Sequence, residues 1–234
     1  MENPVTPQSI YDQLWSQGHA ALERGQPQID PFLTNKKSDL RRAYTLVFRP
    51  DAEVRKAVGK FLMEAERVAP EQYFYGAGEF HTTVLGVIPG SVTWQQRLSD
   101  LPRMRRLIAQ VCREKKAFDI EYRGVTTSMD AVMIQGFPRG DTLTQLRDAL
   151  RSAFNLSGVG ADIDRRYKIS AAHITVMRYA ALGTDWKRLL ELLRVNRTTE
   201  FGKMRVGELQ LISGDWYASA ESVEIVDTYE LPEP

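Results

Sequence analysis

"AAHITVMRYA", residues 171–180, places a histidine and a threonine two positions apart inside an apolar, β-branched run. "FHTTVLGVI", residues 80–88, does the same earlier in the chain. Both stretches read as strands, in which side chains alternate between two faces. His81, Thr83 and Leu85 then share one face, with Thr82, Val84 and Gly86 on the other. His173, Thr175 and Met177 likewise share a face, opposite Ile174, Val176 and Arg178. By strict alternation Arg178 is structural, unless a bulge re-aims it.

Each strand thus offers one imidazole and one hydroxyl side by side. Facing one another, two such strands put two imidazoles and two hydroxyls in one groove. That set suits a phosphodiester. One ring takes a proton from the attacking oxygen, and the other protonates the leaving oxygen. The hydroxyls hold the non-bridging oxygens. Histidine fits because one ring can be neutral and the other charged near neutrality. Two of the three histidines carry the pattern; the third, His19, has no Ser or Thr two positions on and reads as a surface or packing residue. A pair of core histidines satisfied by backbone groups is the competing reading.

His81-Thr82-Thr83 and His173-Ile174-Thr175, 92 residues apart, resemble the paired H-x-[ST] motifs of the 2H phosphoesterase superfamily. This group includes the 2′-5′ RNA ligases and the RNA 2′,3′-cyclic phosphodiesterases. The resemblance spans roughly residues 40–232, and the closing "GELQLISGDWYASAESVEIVDTYEL" is similar to the family's terminal strand pair. It implies a bilobal α+β fold with pseudo-two-fold symmetry, two mixed or antiparallel sheets flanking a cleft, and helices outside. It also implies metal-independent chemistry on 2′,3′-cyclic phosphates or 2′-5′ phosphodiester bonds, with His81 and His173 as the acid/base pair and Thr83 and Thr175 binding phosphate. No cofactor is expected. A non-catalytic nucleotide-binding or regulatory module using the same cleft is the alternative.

The rest of the chain fits an α+β reading, with strands, helices and hairpins interspersed. Residues 8–24 have helical spacing and end at Gly25 and Pro27. Residues 1–40 are therefore set apart as a helix-and-loop extension, and 41–232 as the phosphoesterase-like domain. "AYTLVF" (43–48) is a strand, and an apolar stripe from Val54 to Ala65 marks a helix. Pro89-Gly90 closes the first histidine strand. Pro102 falls within the helical region 94–115, giving two helices or one that starts late. Residues 117–137 read as a hairpin turning at "TSMD". Asp141 caps a helix carrying Leu143, Leu146, Leu150 and Phe154. Three strand pieces form the tail.

Three further side chains sit just before the second motif. Arg165 and Arg166 have the reach for a phosphate, and Tyr167 suits stacking on a base. A solvated loop fits them too. Tyr73 and Tyr75 precede the first motif, where core packing and base stacking both fit.

The composition narrows the function. Net charge is +1 at neutral pH, which gives no global argument for nucleic acid or membrane. The single cysteine, Cys112, builds neither a disulfide nor a cysteine-based zinc site. There is no His-Glu-x-x-His, no P-loop and no apolar run of membrane length. The expected protein is a cytoplasmic monomer acting on a nucleotide or RNA end.

Overall fold

The computed structural model describes residues 6–164 and 168–233. Five α-helices and nine strands account for most of them. The strands are β1 (Arg42–Phe48), β2 (Tyr73–Phe74), β3 (Thr82–Ser91), β4 (Phe118–Thr127), β5 (Ala131–Pro138), β6 (Ile174–Arg178), β7 (Glu200–Val206), β8 (Glu208–Asp215) and β9 (Glu224–Glu230). The helices are α1 (Pro7–Glu23), α2 (Ala52–Val68), α3 (Leu101–Glu114), α4 (Thr142–Leu156) and α5 (Trp186–Val195).

Helix boundaries follow local chemistry. Thr6 and Ser9 form a reciprocal capping box at the start of α1. The Asp51 carboxylate accepts from the Val54 amide at 2.9 Å to open α2. Pro102 falls in the first turn of α3, where its missing N–H costs nothing, and a 3-10 segment, Trp94–Asp100, precedes it. The helical region 94–115 is therefore two elements. Asp141 stands at the N-cap of α4, but its side chain makes no capping bond. Each of α2 to α5 buries one apolar stripe, and among the described residues no helix is long and apolar enough to cross a membrane.

The strands run in the order β7-β4-β5-β6-β3-β1-β8-β9, with β2 added at β6. Every pairing is antiparallel. The order reads as two four-stranded halves. The half β6-β5-β4-β7 mirrors β3-β1-β8-β9, and each contains a strand–helix–strand unit: β1-α2-β3 in one, β5-α4-β6 in the other. The two expected sheets are thus halves of one sheet. They meet at a single paired position, Thr82 with Ile174.

Both histidine strands depart from simple alternation, and at equivalent places. On β3, Thr83 pairs with Val47 and Leu85 with Leu46, so Val84 is an extra residue. On β6, Thr175 pairs with Met133 and Met177 with Val132, so Val176 is extra. A bulge shifts the phase of everything after it. Leu85 and Met177, expected beside the threonines, are buried in the core instead. Pro89-Gly90 does not end β3, which continues to Ser91 through a third register shift that absorbs the proline, after one at Val84 and one at Val87.

α1 packs on β4, and the contact is close. A Cβ on Gly18 would stand 2.5 Å from the Ser128 carbonyl oxygen, so the helix reaches the β4–β5 turn only with glycine there. The Thr126 hydroxyl donates to the Tyr11 carbonyl at 3.1 Å, and Arg197 pairs with Asp12.

Candidate active site

The bridge between the halves sets the geometry. Thr82 opposite Ile174 in antiparallel register places His81 across from Thr175, and Thr83 across from His173. Each imidazole thus faces the other strand's threonine. The histidines are diagonal neighbours, which stand about 7–8 Å apart in such a ladder, with their Cβ atoms somewhat closer. A tetrahedral phosphate fits between two rings so placed. Beneath the bridge, Thr82 is fully buried and its hydroxyl meets that of Tyr122 at 2.7 Å.

All four motif residues line one cleft of about 560 Å³. Arg178 lines it too. The Val176 bulge brings Arg178 back into phase with His173 and Thr175, as the equivalent bulge brings Gly86 to the other wall. The Arg178 Nε donates to the Tyr75 hydroxyl at 2.8 Å, and its Nη1 to Asp130 at 3.1 Å. Burial works against its charge, but Tyr75 and Asp130 outweigh it and raise its pKa. This is a permanent cation aimed by two partners. Tyr75 itself is 5% exposed and does not line the cleft. It is a core residue that orients Arg178, not the surface for substrate that the sequence left open. Arg165, Arg166 and Tyr167 lie outside the described residues.

The two rings are held differently. The His81 Nδ1 lies 2.8 Å from the Glu79 carbonyl. A carbonyl only accepts, so Nδ1 carries the proton and Nε2 is turned to the cleft. Glu79 is fixed in turn, its carboxylate accepting from the Gly76 and Ala220 amides. The equivalent carbonyl before His173 is Ala171. It accepts instead from Arg147 at 2.8 Å, and the His173 Nδ1 is buried without a hydrogen-bond partner.

Arg147, on α4, is 2% exposed. Its guanidinium donates to four carbonyls: Thr83 (2.7 Å) and Val84 (3.0 Å) at the first bulge, and Ser170 (3.0 Å) and Ala171 (2.8 Å) before the second histidine. The bulge frees carbonyls from the ladder, and one fork of donors satisfies them. Arg147 therefore clamps the two motifs together from below.

These surroundings set the charge of the rings. Burial lowers the pKa of His81, with Arg49 and Arg178 adding to it against the Glu79 carbonyl. Burial, Arg147, His81 and Arg178 push His173 down to about 4. An unfolded chain therefore takes up the His173 proton near its ordinary value of 6.5, well before the folded one does. Below 6.5 protons favour the unfolded state, so the stability contributed by this ring is lost as pH falls towards 4. The melting temperature of the wild type should drop more between about pH 7 and about pH 5 than that of His173→Gln. Equal drops would mean that the ring titrates normally.

A larger, shallower groove of about 1110 Å³ runs between α3 and β9, but no histidine lines it. Among the described residues no cluster of His, Cys, Asp or Glu is placed to hold a metal ion.

The family model of the 2′-5′ RNA ligase superfamily matches residues 50–216, well over half of the chain and both motifs. The chain belongs to the 2′-5′ RNA ligase superfamily. It is thereby a 2H phosphoesterase superfamily member, as its paired motifs predicted. No curated protein matches it in sequence. Among solved structures, TT0787 of Thermus thermophilus is similar over 82% of this chain and 98% of its own, with 18% identity and a TM-score of 0.59. LigT of E. coli in apo form is similar over 82% of this chain and 99% of its own, at 16% identity and a TM-score of 0.57. LigT complexed with 3′-AMP superposes at 14% identity and a TM-score of 0.54 over the same shares. At these identities the likeness is one of fold.

Proposed function

We propose that this superfamily member is a metal-independent phosphodiesterase acting on 2′,3′-cyclic phosphates or 2′-5′ diesters of nucleotides or RNA ends. The observation that carries the reading is the Thr82–Ile174 bridge, which sets each histidine across from the other motif's threonine in one cleft. The nucleotide found in the LigT complex agrees with a nucleotide-sized ligand for such a cleft.

The unequal rings suggest their roles. A pair sharing one proton keeps it on the more basic ring. Burial and Arg178 oppose a proton on both rings, but His81 has the Glu79 carbonyl to stabilise an imidazolium, whereas the His173 Nδ1 has no hydrogen-bond partner and Arg147 stands against it. His173 then acts as base, taking a proton from water or a ribose hydroxyl through Nε2. The attacking oxygen bonds to phosphorus and the ribose–oxygen bond to phosphorus breaks. His81 donates its Nε2 proton to that leaving oxygen. Thr83 and Thr175 hold the non-bridging oxygens, and Arg178 offsets their charge.

The test is hydrolysis of a panel of 2′,3′-cyclic nucleotides and 2′-5′ dinucleotides in the presence of EDTA. Turnover that survives chelation is the expected result. Tight nucleotide binding without turnover of any diester would overturn it in favour of a binding module.

A further inference from the structure

The family match begins at residue 50, so α1 lies outside it. Yet α1 reaches the chemistry. Tyr11 is fully buried, and its hydroxyl donates to the Gly136 carbonyl at 3.0 Å. The same oxygen accepts from the amides of Gly136 and Ala172, each at 3.1 Å. Ala172 immediately precedes His173. Gly136 has no room for a side chain, since a Cβ would stand 1.9 Å from the Ala172 carbonyl oxygen. One phenol from the appended helix thus replaces the ladder bonds that these two segments lack just before the second motif.

The next face of the helix looks into the cleft. Ile10 and Leu14, one turn apart, are half-buried and line it beside Ala131 and Met133 of β5. They form an apolar wall on the His173 side. Ile88, Ile212 and Trp216 form the wall opposite. The phosphate site between them is polar, with two imidazoles, two hydroxyls and a guanidinium. A ligand matching this pattern has an anionic centre and a flat apolar arm, as a nucleotide does.

We propose that α1 is part of the substrate site, with Ile10 and Leu14 forming the wall against which the nucleobase on the His173 side rests. Tyr11 fixes that wall to the backbone that carries His173. The inference deepens the phosphodiesterase reading by naming what selects the organic arm. Its test needs no turnover.

The probes are adenosine monophosphate and inorganic phosphate, measured by calorimetry on the full chain. The Ile10→Ser/Leu14→Ser double variant should lower the ratio of nucleotide to phosphate affinity about tenfold. Should serine unfold the helix, Ile10→Ala/Leu14→Ala trims the same wall more gently and should lower the ratio in the same direction. An unchanged ratio in a folded variant overturns the proposal, as does a wild type that binds both probes equally. Nucleotide binding that depends on the wall, without hydrolysis of any diester, sinks the phosphodiesterase reading and leaves this one standing. On a diester that is turned over, the loss should fall on KM rather than kcat, which a merely structural role for the helix would not produce.

Discussion

His173→Ala should lower kcat about a thousandfold on any diester, whatever its leaving group. His81→Ala should cost as much on a ribose leaving group, which needs a proton, but less than about tenfold on an aryl diester that expels nitrophenolate. The difference follows from the asymmetry of the site. The Glu79 carbonyl favours a proton on His81, while burial and Arg147 keep His173 neutral. A leaving group that needs no acid bypasses only the donor. Circular dichroism should show both variants folded, since each ring is half-buried at the cleft and neither fills the core. The reverse pattern, with His173→Ala rescued by the aryl substrate, would exchange the two roles. Wild-type turnover in both variants would remove the mechanism altogether.

The second large effect is expected at Arg147. Arg147→Met keeps the volume and apolar stem but abandons four carbonyls. Each buried acceptor left unpaired costs about 1–3 kcal/mol, offset in part because a buried charge is also removed. A net loss of about 3 kcal/mol is expected, or roughly 6–12 °C in Tm for a chain of this size. Activity should fall further than stability explains, because the clamp sets the distance between the motifs. Removing this cation should also raise the pKa of His173, so the acidic limb of the rate profile moves towards neutrality. Arg147→Lys keeps a charge but has three donors for four acceptors, and should fall between. A variant with the wild-type melting temperature and an unmoved limb would show that the clamp is dispensable.

Neither Arg147 nor Arg178 could be found by periodicity alone, for definite reasons. Alternation predicted the faces of His81 to Thr83 and of His173 to Thr175, and it held for those three residues in each strand. It failed at the next one, because a bulge depends on the partner strand's register, which one strand does not encode. Arg178 was therefore assigned to the wrong face, though with the bulge named as the condition for reversal. Arg147 sits on the same face of α4 as Leu143, Leu146 and Leu150, and nothing local distinguishes it from a solvated helix arginine. Its partners are carbonyls, and those leave no mark in the sequence. Tyr11 is hidden likewise, since its three partners lie more than a hundred residues away. Glu79 had a weak signal in the glycines just before it, where a turn needs an anchor. The helices and the β4–β5 hairpin were legible because their stripes and turn residues are local.

Gly86 and Arg178 occupy matching positions five residues after their histidines, each brought to the cleft by its own bulge. A strictly two-fold site would accept a diester and its reversed copy equally well. One half of this site carries a guanidinium where the other carries a hydrogen atom. On the proposed phosphodiesterase reading, the two directions of a diester across this cleft are then no longer equivalent, and the half that carries Arg178 is the one suited to the more anionic arm.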